Sequence, residues 1–540
     1  MPRYAYEPFL YRTPPELAGG HIGQYRVAIV GAGPVGLAAA IDLAQRGVPV
    51  VVLDDNDVVS VGSRAICWSK RTLEIFDRLG VGERMVEKGV TWKVGRLFHG
   101  DREVWSFDLL PEEGHKMPAF INLQQYHVEQ YLVERAADFP DLIDLRWKNK
   151  VTAVEQKGGD VRLGVETPDG RYQMDAAWVL ACDGARSPVR GMLGLDFEGQ
   201  VFEERFLIAD VELKADFPSE RWFWFEPPFH NGRSALLHKQ PDDIYRIDLQ
   251  LGPDADPEEE KKPENVIPRI KKVIGHDLFE LDWVSVYTFQ CRRLERFVHD
   301  RVIFAGDSAH IVSPFGARGG NGGIQDIDNL GWKLAMVVHG EAPASLIATY
   351  DEERIHGADE NILNSARSTS FMTPKSKMEQ IFRDSVLALA DDHDFARRLV
   401  NSGRLSRPCS LEGLALQTPA PPRAPLASGL VMPDAPVEAE GRREWLLNQA
   451  GGGFVLIAVD CDPPIGLPAG LHVVQVSQTA DGETVEGVVR LVDVDGVVAA
   501  RYGAGRLYLI RPDQHIAASF EHPDAHEVAA AMSRAMGREG

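Results

Sequence analysis

The sequence predicts an α/β chain of several domains, and three observations carry that prediction. The first is a buried-strand pattern, Tyr25-Arg26-Val27-Ala28-Ile29-Val30, running straight into Gly31-Ala32-Gly33-Pro34-Val35-Gly36 and a helix from Leu37 to Arg46. The second is a later apolar run, Arg301 to Ala305, followed by Gly306-Asp307, a loop with five glycines between Gly316 and Gly323, and a segment of helical spacing from Ile324 to Val338. The third is the stretch from about Phe202 to Arg292, where alternation with a period of two marks half-buried strands.

Length and composition bound the reading. A chain of 540 residues is too long for one small core and suggests about three to four domains. Its 44% hydrophobic and 26% charged residues are ordinary for a soluble globular protein. With 58 Lys and Arg against 80 Asp and Glu, the net charge is −22 and no basic stripe interrupts it, so a nucleic-acid partner is not expected. Glu258 to Lys262 reads as a solvated charged loop. The five cysteines are dispersed, odd in number and never spaced Cys-x-x-Cys, which argues against a metal site, an iron–sulfur cluster or a secreted disulfide framework. The first residues lack the apolar core of a signal peptide, and no apolar run reaches the ~18 residues of a membrane span. A cytoplasmic protein without a membrane partner is the expectation.

Taken in order, residues 1–24 carry four prolines and read as a surface arm. Residues 25–200 and 293–411 form one domain. In it, a second apolar strand from Val48 to Leu53 ends in Asp54, 23 residues after Gly31, the spacing of a dinucleotide-binding βαβ unit. Gly31 permits the turn, Gly33 admits a pyrophosphate to the backbone, Gly36 lets helix and strand pack closely, and Asp54 accepts from a ribose. A tight turn without a ligand is the plainer alternative. Arg64, in Ser63-Arg64-Ala65, reaches a phosphate or ribose, or is an exposed loop arginine. Gln125, at the start of a helix from Tyr126 to Ala137, faces the same ligand, and Gln124 turns elsewhere. Strands around Val151 to Val154, Val161 to Val165 and Ala177 to Cys182 lead to Asp183-Gly184, followed by Arg186, Ser187 and Arg190. That is either a second dinucleotide-facing loop or a commonplace turn.

Residues 201–292 form a mostly antiparallel sheet, with strands at Phe206 to Leu213, Ser234 to His238, Tyr245 to Leu251 and Trp283 to Phe289. Trp222-Phe223-Trp224-Phe225 belongs to its core or to a pocket wall. The loop after Gly306-Asp307 then offers a socket for a planar, anionic group. Its glycines expose backbone N–H groups, and the helix behind them directs its positive end there. Helical pattern continues to about Ser402. Proline-rich residues 412–440 read as a linker, and 441–540 as a small separate α/β domain.

Gly31-x-Gly33-x-x-Gly36, Asp183-Gly184 and Gly306-Asp307 stand in the order and spacing of the class A flavoprotein monooxygenases, single-component FAD-dependent aromatic hydroxylases. The chain most resembles the branch of phenol hydroxylase and 3-(3-hydroxyphenyl)propionate hydroxylase, whose C-terminal thioredoxin-like domain Arg511-Pro512-Asp513-Gln514-His515-Ile516-Ala517 matches. The resemblance implies a Rossmann-type FAD-binding domain with an inserted, mainly antiparallel substrate domain. Gly31, Gly33, Gly36 and Asp54 would hold the ADP half of FAD, with Arg64 and Gln125 near ribose and pyrophosphate. Asp307, after Gly306, would bind the ribityl chain. Pro314 and Gly316 to Asn321 would lie against the flavin ring, with Pro314, Gly319, Gly320 and Asn321 positioning it for catalysis. Asp183-Gly184 is associated with both FAD and NAD(P)H. There are departures. Arg318 stands where many relatives have Gln, and points to solvent, pairs with an acid or steers an anion. Ile327 replaces an alanine. Cys461 has no Cys-x-x-Cys partner, which leaves the last domain a packing or dimer role in a homodimer.

The implied reaction is hydroxylation of a phenolic or related aromatic substrate through a flavin C4a-hydroperoxide. Tightly bound FAD would be reduced by transient NADH or NADPH, and O2 would be the co-substrate. Tyr245, His238 and Arg246 are the candidates for polarising the phenol, unless they are a strand's solvent face. Two alternatives share the fold: a flavin-dependent halogenase, superficially suggested by Trp222-x-Trp224-x-Glu226-Pro227, and a non-oxygenating flavin reductase. A flavin-binding regulator is a third.

Overall fold

The computed structural model describes residues 4–213, 217–230, 233–252, 254–313, 316–400, 408–479 and 486–538. Its first sheet is centred on five parallel strands, in the spatial order Ile143–Arg146, Val50–Leu53, Gly23–Val30, Gly170–Ala181 and Val302–Phe304. Numbered along the chain the order is 3-2-1-4-5, and it reverses between Gly23–Val30 and Gly170–Ala181. Such a reversal opens a crevice beyond the carboxyl ends of the strands. Gly31, Asp54, Asp183-Gly184 and Gly306-Asp307 all lie there, each directly after a strand of this sheet. The strands read as continuous apolar runs because they are buried on both faces; Val50–Leu53 is buried throughout. Lys150–Lys157 and Asp160–Thr167 extend the sheet as an antiparallel meander.

Two helices bring their N-termini to the crevice, Pro34–Gln45 and Gly319–Val338. The second starts five residues before the Ile324 expected from periodicity, so the glycine loop is partly the helix's own first turn. Glycine is a poor helix former and gives no periodic signal; packing decides. A Cβ on Gly323 would lie 2.7 Å from Val35 Cγ2 and 3.0 Å from Gly306 Cα, and one on Gly306, at φ +66°, 2.9 Å from the same Val35 methyl. These glycines let the two helices and the Gly306 turn converge.

The second sheet is wider than the expected 201–292. Its strands run in the order His310–Ile311, Glu280–Arg293, Glu198–Glu212, Ile244–Gln250, Ala235–Lys239, Arg221–Phe225, Val94–His99 and Arg102–Asp108. The hairpin from 94–108 joins through a parallel pairing of Arg221–Phe225 with Val94–His99, a long-range contact that local alternation does not encode. Residues 1–24 lie against the first domain: Phe9 stacks on Trp147 with centroids 4.4 Å apart, and buried Glu16 pairs with Arg146 at 3.0 Å.

The proline-rich 412–440 segment is not a free linker among its described neighbours. Gly429 N–H donates to Ile516 O (2.7 Å), Met432 N–H to Gln514 O (2.9 Å), and Pro436–Ala439 is a strand of the C-terminal sheet. Leu416, Met432, Ala435 and Val437 are buried. Proline content resembles that of a spacer, but these interleaved apolar side chains bury enough surface to fix the segment.

The C-terminal sheet orders Arg442–Trp445, Pro436–Ala439, Val488–Val492, His472–Ser477, Val455–Val459, Arg506–Ile510 and Ile516–Phe520. Its turn at Arg511 to His515 is embedded in the first domain. Arg511 donates two hydrogen bonds to Glu353 (2.6 and 2.9 Å) and one through Nε to Asp513 (3.0 Å). Lys333 Nζ donates to Glu353 (2.7 Å), Trp332 Nε1 to Asp513 (3.2 Å), and Arg71 to Asp328 (2.6 Å) and Asp513 O (2.9 Å). All of these side chains are buried. Burial alone would raise the Glu353 carboxyl, but the Arg511 and Lys333 charges hold it far below its ordinary 4.5.

Removing one partner of such a network strands buried charge, at a cost of about 3–5 kcal/mol. Arg511→Met is therefore expected to lower unfolding free energy by about that amount, read by chemical denaturation at neutral pH. Because the folded Glu353 carboxyl titrates below its ordinary 4.5, its contribution is present above that pH and is lost as pH falls further. The gap between wild type and variant narrows on acidification.

Candidate functional site

A cavity of about 1330 Å³ spans the crevice of the first sheet and one face of the second. That exceeds the ~300–1,000 Å³ of a pocket for one small ligand and leaves room for two. Gly31, Gly33, Asp54, Arg64, Gln125, Asp183, Gly184, Asp307, Gly319 and Gly320 line it. Nine Lys and Arg against six Asp and Glu line the cavity, although the chain's net charge is −22. The surroundings favour an anionic ligand.

At the first turn, Gly31 has φ +103° and a Cβ there would lie 2.5 Å from Cys182 O. A Cβ on Gly36 would lie 1.9 Å from Gly31 O, so Gly36 serves helix packing; a Cβ on Gly33 would meet nothing within 4 Å. Asp54 accepts from Ala32 N–H (2.6 Å) and Asn56 N–H (2.8 Å), so it braces the turn while lining the cavity. Burial pushes its carboxyl up, against those N–H groups. Gln125 accepts from Ala65 N–H (3.2 Å) and donates to Ser60 Oγ (2.9 Å) and Glu129 (2.8 Å), fixing the Arg64 loop. Asp183 accepts from Val189 N–H (3.0 Å) through one oxygen, and its other oxygen is buried without a partner.

At the glycine loop, the Asp307 carboxylate makes no hydrogen bond to any described residue, and burial pushes its pKa up. It stands beside the helix start: a Cβ on Gly319 would lie 3.9 Å from Asp307 Oδ1. The helix has no side-chain cap, so its first N–H groups remain for a ligand. Asn321 acts differently from the expectation. Its Oδ1 accepts from Ser69 N–H (2.9 Å) and its Nδ2 donates to Cys67 O (2.9 Å) and to Ala317 O, which bolts the helix to the strand Cys67–Ser69. Pro314 lies outside the described residues. Arg318 is buried and donates to Asn361 Oδ1 (2.8 Å), not out to solvent.

Sequence reasoning missed the group that holds this loop. Asp326 accepts from Gly306 N–H (2.9 Å), His310 Nε2 (2.7 Å) and Arg354 Nε (2.7 Å). Its signal was present in the run Asp326-Ile327-Asp328-Asn329-Leu330, but the partners lie far along the chain.

The second sheet supplies the opposite wall. Pairing sets Arg221 opposite His238, His238 opposite Arg246, Arg246 opposite Asp210 and Asp210 opposite Trp283. Side chains in such a row share a face, and Arg221, His238, Arg246 and Trp283 line the cavity. Tyr245 cannot join them, because its neighbour Arg246 does. It lies on the back of the sheet, 1% exposed, packed with Ile247, Leu249 and Val266, its ring 5.7 Å from Phe217. Trp222 and Trp224 are on the same back face, whereas Phe223 packs with the cavity-lining Phe206 and Leu236. Arg246 is held by Asp210 (3.0 Å) and donates to Arg64 O (2.6 Å), which ties the wall to the Arg64 loop.

The family described as FAD binding domain matches residues 24–365. The chain belongs to that family. A 3-(3-hydroxy-phenyl)propionate/3-hydroxycinnamic acid hydroxylase of Escherichia coli is 28% identical over 516 residues, 92% of this chain and 91% of its own. Among solved structures, the p-nitrophenol 4-monooxygenase PnpA of Pseudomonas putida is 26% identical, covers 71% of this chain and 99% of its own, and has a TM-score of 0.64. The flavin-dependent monooxygenase PieE, in complex with FAD and substrate, is similar in fold, with a TM-score of 0.77 at 21% identity over 96% of this chain and 99% of its own. The relatives are thus a hydroxylase and two monooxygenases, one of them flavin-dependent with FAD bound. No described helix is long and apolar enough to cross a membrane.

The residues fit FAD. Open space at Gly33, an unpartnered buried oxygen on Asp183, an acceptor without a partner on Asp307 and two uncapped helix N-termini in one basic cavity are what a diphosphate with a hydroxylated chain requires. Asp307→Ala should therefore lower FAD affinity about tenfold or more, as for a lost hydrogen bond to a charged group. Titration of apoprotein with FAD measures it, and unchanged affinity would remove Asp307 from the site.

Proposed function

We propose that the protein is a single-component FAD-dependent monooxygenase that hydroxylates a phenolic or related aromatic substrate with NAD(P)H and O2. The observation that carries this reading is the shared cavity: dinucleotide-type turns on one side, a substrate-sized sheet face on the other, and space for both. FAD, when bound, supplies electron transfer from the nicotinamide and activation of oxygen. The chain's own part is positioning and shielding. The Gly31–Gly33 turn and the start of Pro34–Gln45 would take the pyrophosphate, and Asp307 the ribityl hydroxyls. The N–H groups at Gly319 and Gly320, with the helix dipole, would stabilise negative charge on the ring. Phe206, Ile208 and Leu236 supply apolar wall that keeps water from the reacting centre.

Of the three candidates for polarising a phenol, His238 alone faces the cavity without being clamped by a carboxylate; its Nδ1 is 3.9 Å from Cys67 Sγ. Burial pushes its ring well below the usual histidine range, so it is neutral and competent to accept a hydrogen bond. The halogenase reading loses its support, since Trp222 and Trp224 pack away from the cavity. Three parallel strands (Val488–Val492, His472–Ser477, Val455–Val459) flanked by antiparallel Arg506–Ile510 and Ile516–Phe520, then a helix Ala525–Ala535, support a thioredoxin-like C-terminal unit. Its role is packing against the first domain. A cytoplasmic homodimer completes the reading.

The purified protein is expected to be yellow. Phenols should accelerate NAD(P)H oxidation, with one atom from isotopically labelled O2 in the product. Accelerated oxidation that yields only hydrogen peroxide across a panel of phenols, or a colourless protein, would overturn the proposal.

A further inference from the structure

We propose that the sheet side of the cavity carries an anion subsite built on Arg221, and that the aromatic substrate bears a carboxylate which this arginine holds. The inference deepens the hydroxylase reading and rests on it. Arg221 opens the strand Arg221–Phe225 and, by register with His238, points to the cavity face. Protein surrounds it, yet part of its surface stays open, and that part lies on the cavity.

Its guanidinium makes no hydrogen bond or ion pair to any described residue, in a chain where acids outnumber bases by 80 to 58. The neighbouring arginine shows the contrast: Arg246 is clamped by Asp210 and by Arg64 O. Asp248, which also lines the cavity, is left open too, with Oδ1 buried and unpartnered and Oδ2 4.0 Å from His238 Nε2. A guanidinium withdrawn from water without a partner is costly, and its planar fork of donors matches a carboxylate.

Position and charge narrow the ligand. Cys67 Sγ lies 3.9 Å from Nδ1 of His238, the residue opposite Arg221 in the strand pairing. Cys67 O is hydrogen-bonded to Asn321 in the first turn of the glycine helix, so the subsite lies across from the flavin loop. It is distinct from the pyrophosphate turn at Gly31. Arg246 is paired with Asp210, and His238 is neutral, which leaves Arg221 as the cation of this row with no hydrogen bond or ion pair to a described acid. Asp248, pushed up to about 6 by burial, carries negative charge at neutral pH and disfavours a dianion. A monoanion such as a carboxylate therefore fits better than a dianion. His238, opposite Arg221 in the strand pairing, is placed to bond the same substrate.

The test uses FAD-loaded protein and the change in flavin absorbance as aromatic ligands bind. The probes are 3-hydroxybenzoate, its homologues with one and two added methylenes, and the corresponding primary carboxamides. Wild type should bind at least one acid about 100-fold tighter than its amide. Arg221→Met should bring that ratio close to one, and Arg221→Lys should keep part of it. Normal FAD content certifies each variant, and the wild-type acid-to-amide ratio stands even if a variant fails to fold. Wild type without preference for any acid, or Arg221→Met retaining the preference, would overturn the subsite. The two readings fail separately. Arg221-dependent binding of acids without oxygenation would sink the hydroxylase and leave the subsite. Hydroxylation of neutral phenols with no preference for acids would do the reverse.

Discussion

The Asp326 carboxylate, buried beneath the glycine loop, is the constraint on which the site depends. Burial alone would raise its pKa; the His310 ring, the Arg354 guanidinium and the Gly306 N–H bring it below the ordinary value. Each of its partners belongs to a different element. Gly306 begins the turn after Val302–Phe304, His310 begins the edge strand of the second sheet, and Arg354 lies on Ala348–Met372. One side chain therefore ties the turn that carries Asp307 to the edge of the second sheet and to the helix Ala348–Met372. Charge-assisted bonds in a low-dielectric interior are stiff, which suits a loop that must hold a flat ring in place.

Around that anchor the two sheets contribute unlike properties. The parallel sheet offers backbone: turns, N–H groups and helix dipoles that recognise features common to any dinucleotide. The antiparallel sheet offers side chains, whose identity can differ without disturbing the turns opposite. Asn321 and Arg246 stitch the halves together, the first by holding the strand Cys67–Ser69 and the second by holding the Arg64 loop. Both are near the cavity, and both are used mainly on protein atoms.

Much of the first sheet was legible because its determinants are local. The strand, glycine turn, helix, strand and acid from Tyr25 to Asp54 follow one another within about thirty residues, a spacing physics restricts tightly. What the sequence left open depends on pairing between distant segments. Whether Tyr245 or Arg246 faces the cavity is a question of register, and a shift of one residue inverts the answer. Arg221 drew no attention because a lone arginine beside aromatic residues has no pattern; only the missing partner marks it. The proline-rich 412–440 segment was misread because composition describes chain stiffness, while Leu416, Met432 and Val437 determine where it packs. Asp326 went unnoticed since its three partners lie 16, 20 and 28 residues away.

The strict alternation of the second sheet has an evolutionary corollary. Along Ala235–Lys239 and Ile244–Gln250, even-numbered side chains (Leu236, His238, Arg246, Asp248) meet the ligand space, and odd-numbered ones (Leu237, Tyr245, Ile247, Leu249) meet the core behind. Mutations therefore fall into two classes by parity alone. Odd positions carry the burden of folding and tolerate little change. Most even positions are freer to drift, so a lineage can explore new substrates by altering one side of a sheet whose other side keeps it folded.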